Sequence, residues 1–286
     1  MMYQTIASCI LSSLGVFSLI HGLETTTRSD RKEMFSSILA AFILFYLAVN
    51  IYLNVASFLS IIITLSIPIT AILIIILNLF KPLFQKIKLH MGKHVKDSKT
   101  REVLRKLFHL LSLVLIITYI YYGEEITIQI TYLALIFFYL TDILRFWIPK
   151  YYPFAVIADL VLRKGETEKI GPHTYYVISA SLALMFFSMY TAVIALIAAA
   201  MGDASAAIAG KTLGKHKLPW KKEKTIEGSI AAFATTFTVL ILFTPIEKAL
   251  IGAVLLLIID LIDPPINDNL LNGLVIAAGL TLFNLY

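Results

Sequence analysis

Apolar residues run through this chain in stretches of about twenty, and short polar or basic clusters separate them. Ten such stretches stand out, at roughly 3–20, 35–53, 56–79, 105–122, 126–146, 174–189, 191–209, 228–244, 247–262 and 270–285. A helix needs about 20 residues to cross the hydrocarbon core of a bilayer. In lipid its backbone polar groups must be satisfied within the helix itself. The pattern predicts an all-α, polytopic transmembrane helix bundle of about ten spans. Residues 80–104 (FKPLFQKIKLHMGKHVKDSKTREVL) interleave basic and apolar positions. They predict an amphipathic helix at the interface, with Lys and Arg snorkelling. In the segment 150–164 (KYYPFAVIADLVLRK), Phe154, Ile157, Leu160 and Val161 recur at helical spacing, which predicts a second interfacial helix. Three regions follow: an accessory bundle at 1–80, a basic connector at 81–104 and a core at 105–286. The first holds little polarity beyond Asn50 and Asn54, with Pro68 as its other interruption.

Composition strengthens this picture. The chain of 286 residues is 59% hydrophobic and only 15% charged, and its mean hydropathy is +0.85. A soluble domain is about half apolar and about a quarter charged. Cys9 is the one cysteine, so an internal disulfide and a cysteine metal cluster are both excluded. No basic region precedes the first apolar run, which predicts a span there and not a cleaved leader.

Charge then sets the orientation. With alternating spans, the loops at 21–34, 80–106, 145–173, 210–227 and 263–269 share one side. Of the 24 Lys and Arg residues, only Lys248 falls on the other side. The positive-inside rule makes the shared side cytoplasmic and puts both termini outside. The net charge of +6 then reflects loops lying against anionic lipid heads and calls for no nucleic-acid partner.

Five polar clusters fall on that predicted cytoplasmic face. Ionisable groups near a bilayer are costly unless paired or used. The first is Arg105-Lys106-Leu107-Phe108-His109, where Arg105 and His109 share a helix face. The second is Asp142 with Arg145, also readable as a simple ion pair three residues apart. The third is Arg163-Lys164-Gly165-Glu166, also readable as a solvated loop. The fourth sets Asp203 among Gly202, Ala204, Ser205, Ala206, Ala207, Ala209 and Gly210, then brings Lys211, Lys215, Lys217, Lys221, Lys222, Lys224, Glu227 and Gly228. Small residues at this density also serve plain helix packing. The fifth is Asp263-Pro264-Pro265-Ile266-Asn267-Asp268-Asn269, also readable as a proline turn that caps the final helix.

Gly210-Lys211-Thr212 invites comparison with a nucleotide-binding P-loop. That motif needs a glycine five residues before its Gly-Lys and a strand ahead of it. Ser205 stands at the glycine position here, and a membrane helix precedes it. The chain has no true P-loop, although glycine amides and lysines can still face phosphate oxygens. Phosphoryl transfer from a nucleotide needs carboxylates for Mg²⁺, cations for the polyphosphate and a positioner for the acceptor hydroxyl. Asp203, Glu227 and Asp268 are the candidates for metal and base. Lys211, Lys215, Lys224 and Arg105 are the candidates for the phosphates. A bilayer interface suits a soluble nucleotide and a lipid alcohol.

Six stretches resemble the membrane-embedded CTP-dependent lipid kinases: dolichol, phytol and yeast-type diacylglycerol kinases. They are RKLFH at 105–109, TDILR at 141–145, LRKGE at 162–166, GDASAAIAGKTLGKHKL at 202–218, KTIEGSIAAF at 224–233 and NDNLL at 267–271. The form KTIEG is most similar to dolichol kinases. The resemblance implies CTP as donor, Mg²⁺, a polyprenol acceptor and a polyprenyl monophosphate product. It implies nucleotide contacts from Gly202, Gly210, Lys211, Gly214, Lys215, His216, Lys217, Lys224 and Gly228. Arg105, Lys106, His109, Asp142, Arg145, Arg163, Glu166, Asn267 and Asn269 would support them. A sister kinase for diacylglycerol, phytol or an archaeal-type glycerolipid keeps the same reaction. A CDP-lipid-forming cytidylyltransferase would carry a Lys-Asp pair followed by a DRxD-like acidic motif, and that signature is not evident. A transporter would place its polar groups near the midplane, in two matched halves.

Overall fold

In a computed structural model, the described residues are 2–27, 31–54, 57–83, 85–86, 113–155, 168–262 and 264–282. Unbroken apolar runs leave the helix as the way to satisfy the backbone in lipid, and these residues are mostly helical. The helices are α1 (Met2–Thr27), α2 (Arg31–Asn54), α3 (Ser57–Leu79), α4 (Leu113–Trp147), α5 (Pro172–Phe186), α6 (Met189–Thr212), α7 (Ile226–Ile241), α8 (Ile246–Ile262) and α9 (Asp268–Leu282). Among the described residues, four stretches are long and apolar enough to cross a membrane: Gln4–Thr25, Arg31–Leu53, Leu113–Trp147 and Met189–Thr212. Shorter apolar helices lie at Ile63–Leu79, Ile226–Ile241 and Asp268–Leu282. Large apolar side chains such as Ile75, Leu79, Ile120 and Leu242 are exposed. A soluble monomer rarely presents so much apolar surface, whereas an integral membrane protein presents it to lipid.

Helix α4 is too long to be one straight span. Its 35 residues would extend about 52 Å, against a hydrocarbon core of about 30 Å. Gly123 interrupts it with φ 79 and ψ −174, a region open essentially to glycine alone. The Thr127 hydroxyl reaches the Thr118 hydroxyl at 3.3 Å. Nine residues along a straight helix would hold them about 13 Å apart. The chain therefore turns at Gly123, between the apolar runs 105–122 and 126–146.

Two compact units interleave along the chain. The first holds α1–α3, α4 from Ile128, α5 to Leu182 and Pro265–Asn267; the second holds α4 to Thr127, Ala183–Pro264 and α9. In the first, α1 packs on α2 and α3. Its core is not bare of ionisable groups, as the pattern of 1–80 had suggested. Glu33 and His21 are buried there. The stretch 21–34 is not all loop: α1 runs on to Thr27 and α2 begins at Arg31. His21 and Glu33 thus sit on helix ends and meet at 3.1 Å.

In the second unit, α6 packs on α7 and α9, α7 on α8, and α8 on α9. Ala195, Ala198 and Ala199 of α6 meet Ala232, Leu256 and Ile276 in its core. Residues 210–227 depart from the loop expected there. Helix α6 continues to Thr212, and a short antiparallel hairpin follows, β1 (Lys217–Leu218) with β2 (Lys221–Thr225). Lys217 is exposed and Leu218 is buried, the alternation of a strand with one covered face.

Candidate functional site

The second unit brings three aspartates together at one end of the bundle. Asp203 lies on α6, Asp260 in the last turn of α8, Asp268 at the start of α9 and Lys224 on β2. Helices α6 and α8 run toward this end, while α7 and α9 run away from it. Antiparallel packing therefore turns residues far apart in sequence into neighbours. Asp203, Lys224, Asp260, Asp268 and Asn272 line one pocket, closed by Ala206, Ala232, Leu256 and Ile259. Its free space of about 10 Å³ admits a single water-sized body.

Lys224 Nζ stands 2.7 Å from Asp260 Oδ1 and donates at 3.0 Å to the Asp260 carbonyl. Ser229 Oγ donates to Asp260 Oδ2 at 2.6 Å. Lys224, expected on the polyphosphate, is thus committed to a carboxylate that sequence reasoning passed over. The signal was present: Asp260 interrupts the apolar run LLLIIDLI, and an ionisable residue inside such a run marks a functional or paired position. Asp203 and Asp268 line the pocket beside this ion pair. Asn272 stands one turn from Asp268 on α9, and its Oδ1 is buried without a hydrogen bond among the described residues. Oxygen ligands of this kind suit a hard divalent cation. Mg²⁺ is commonly held by one or two carboxylates and completed by water and phosphate. Among the described residues no three His, Cys, Asp or Glu side chains form a cage of their own, so an Mg²⁺ here would draw on Asp203, Asp268 and Asn272 in that open fashion.

Glu227 lies outside this pocket, at the mouth of α7 and ahead of its apolar stretch. Thr225 caps α7, its side chain accepting from Gly228 N at 3.2 Å. The Glu227 carboxylate accepts from the His216 backbone at 3.2 Å and stands 2.7 Å from His216 Nδ1. Its own backbone N–H, then the His216 side chain, hold its pKa down to about 2. Glu227 therefore fastens the start of the hairpin to the start of α7. Lys211, Lys215, His216 and Lys217 are exposed.

The glycines expected around phosphate serve packing. A Cβ on Gly202 would stand 2.3 Å from Thr236 Oγ1, and one on Gly228 would stand 2.8 Å from the Ala206 carbonyl. Gly210 and Gly228 bring α6 and α7 together, and a Cβ on Gly214 would meet the Gly210 carbonyl at 2.2 Å. Close helix packing accounts for Gly202, Gly210 and Gly228, and the tight turn after α6 accounts for Gly214.

Asp142 and Arg145 belong to the first unit and form an ion pair at 2.7 Å. Asp142 Oδ2 also accepts from Gly171 N at 2.8 Å and Thr174 Oγ1 at 2.6 Å. Arg145 donates to the Lys169 carbonyl. A second buried centre there was also missed. Glu33 Oε1 accepts from Ile170 N at 2.9 Å and Tyr175 Oη at 3.1 Å, beside His21. Asn267, in the same unit, donates its N–H to Ser36 Oγ at 2.6 Å. Asn269 lies in the first turn of α9. Arg105, Lys106, His109, Arg163 and Glu166 lie outside the described residues.

No family model, curated protein or solved structure matches the chain.

Proposed function

We propose that this protein is a membrane-embedded lipid kinase. It transfers the γ-phosphoryl group of CTP to the hydroxyl of a long-chain polyprenol and gives polyprenyl monophosphate. The observation that carries the reading is the pocket where Asp203, Asp260, Asp268 and Lys224 meet at the end of apolar helices. Carboxylates near a run of exposed lysines supply the metal ligands and phosphate contacts that this transfer needs. The bundle of about ten spans has this end on the cytoplasmic side, where CTP is available.

In this mechanism the lipid hydroxyl attacks the γ-phosphorus, the bond to CDP breaks, and the hydroxyl proton passes to a carboxylate. Asp203 and Asp268 are the candidates for that acceptor, and with Asn272 they would hold Mg²⁺. The metal, when bound, neutralises charge on the transferring phosphate. The space of about 10 Å³ fits an ion and not a nucleotide. The nucleotide therefore lies outside it, toward Lys211, eight residues or about 12 Å beyond Asp203 along α6. Lys211, Lys215 and Lys217 pair with its phosphates. Lys224 acts through Asp260, keeping it neutralised so that the cation site is defined by the other two aspartates.

The resemblance to dolichol kinases favours polyprenol, and the same site would serve diacylglycerol, phytol or an archaeal-type glycerolipid. Purified protein should be given CTP, Mg²⁺ and these acceptors separately, and the product mass read. Addition of one phosphate to the polyprenol supports the assignment. Addition of a cytidylyl group makes the protein a cytidylyltransferase, and an unchanged set of acceptors rejects the kinase.

A further inference from the structure

The last carbonyls of a helix have no partner within it. At the end of α8, two side chains of the hairpin serve them. Lys224 Nζ donates to the Asp260 carbonyl, and Trp220 Nε1 donates to the Leu261 carbonyl at 2.8 Å. Trp220 stands in the two-residue turn between β1 and β2. Its hydrogen bond holds the ring against α8, yet the residue is 65% exposed. Helix capping accounts for the indole N–H and leaves the exposed ring without a role.

The level of that ring along the bundle supplies one. Ile246, Leu250, Val254, Ile258 and Ile262 recur every four residues on α8, and all are exposed. Ala249, Gly252, Ala253 and Leu256 fill the opposite, buried face. In an integral membrane protein such a stripe faces acyl chains. Its ends, Ile246 and Ile262, are about 24 Å apart, most of a hydrocarbon core of about 30 Å. Trp220 is bonded beside the last member of the stripe. At the far end of the same unit, Tyr190 repeats the arrangement. Its side chain is exposed, and its hydroxyl donates to the Phe243 carbonyl, just past the end of α7, at 2.5 Å. Tryptophan and tyrosine collect at both levels where acyl chains give way to headgroups. There the ring meets an apolar medium and the polar tip a wet one.

Charge sets the Trp220 level apart. Residues 211–224 hold six lysines and one acidic residue, Glu223. Lys215 and Lys217 are exposed, and Leu213 and Ile226 add exposed apolar side chains at the same end. Glu227 is engaged by His216. Exposed lysines around an exposed tryptophan match a layer that is apolar beneath and negative above. We infer that the hairpin docks on the headgroup layer of the bilayer, with Trp220 among the upper acyl chains and Lys217 against anionic phospholipid headgroups. The inference rests on the hairpin and α8 and does not depend on the kinase reading.

The test places the full chain in phosphatidylcholine nanodiscs and reads tryptophan fluorescence. Trp147 and Trp220 are the two tryptophans, so Trp147→Phe leaves Trp220 as the sole reporter. If that variant does not fold, Trp220→Phe gives the same quantities by difference from the parent. Lipid brominated on the upper acyl chain should quench Trp220, and aqueous iodide should quench it severalfold less than free tryptophan. Brominated phosphatidylglycerol, added as a minor component, should quench more than brominated phosphatidylcholine at the same fraction. Lys217→Gln should lower that preference about fivefold, the weight of one lysine near an anionic surface, and high salt should lower it too. A nucleotide phosphate offers Lys217 the same chemistry as a headgroup, so CTP is left out. Iodide quenching equal to that of free tryptophan overturns the inference. So does protection from both quenchers, which would mean that protein covers the ring, and so does equal quenching of the parent by the two brominated lipids.

Discussion

Lys224, Asp260 and Ser229 show what a single residue decides here. The pair is about four-fifths buried on both sides, with exposures of 20% and 17%. Removing one partner strands the other. Asp260→Ala should cost about 2 kcal/mol and lower the Tm by several degrees. Lys224→Met added to it should cost little more, and that non-additivity in a double-mutant cycle marks a shared interaction. Glu227 makes a prediction about pH. Its pKa falls from 4.5 free to about 2 in the folded chain. Its contribution to stability is complete above pH 4.5 and is lost as the pH falls toward 2. The protection factor of the His216 N–H, its exchange rate relative to the free peptide at the same pH, should fall across that window, and in Glu227→Gln it should no longer change there. Asp203→Asn and Asp268→Asn, which keep the shape of the side chain, should each reduce phosphoryl transfer by a hundredfold or more while leaving the Tm within a few degrees.

At the scale of elements, glycine placement governs two features. Gly123 has open space around its missing side chain, so its φ of +79 is the entire constraint. Gly123→Ala should cost about 1–3 kcal/mol without a clash, read as a lower Tm. Gly202 is the opposite case, with a normal backbone and no room. Gly202→Leu should force α6 from α7 and α8, costing at least as much as overpacking a core does. The hairpin is legible only in part. Its lysines read as a solvated loop because β1 is two residues long and β2, Lys-Lys-Glu-Lys-Thr, has no apolar position to alternate with the polar ones. What anchors it is Trp220, whose indole donates to the Leu261 carbonyl at 2.8 Å. That contact joins residues 41 apart in sequence, a distance no local pattern encodes.

For the whole molecule, hydropathy conveyed the class of fold, because apolar runs leave few alternatives in lipid. It also flagged the end of the bundle where Asp203 and Asp268 meet. It missed Asp260 and Asn272, whose meaning comes from helices packing antiparallel. It missed Glu33 with His21 for a related reason: their partners Ile170 and Tyr175 come from far along the chain. The glycines of the Gly-Asp block were legible in two ways, and packing accounts for their positions.

The measurement that bears most directly on the central claim is label transfer from γ-labelled CTP to polyprenol with Mg²⁺, run on the parent and on Asp203→Asn side by side. The kinase reading predicts labelled polyprenyl phosphate from the parent, none without Mg²⁺, and at most about a hundredth as much from Asp203→Asn. An unlabelled lipid with the parent, or equal labelling by the two proteins, would contradict it.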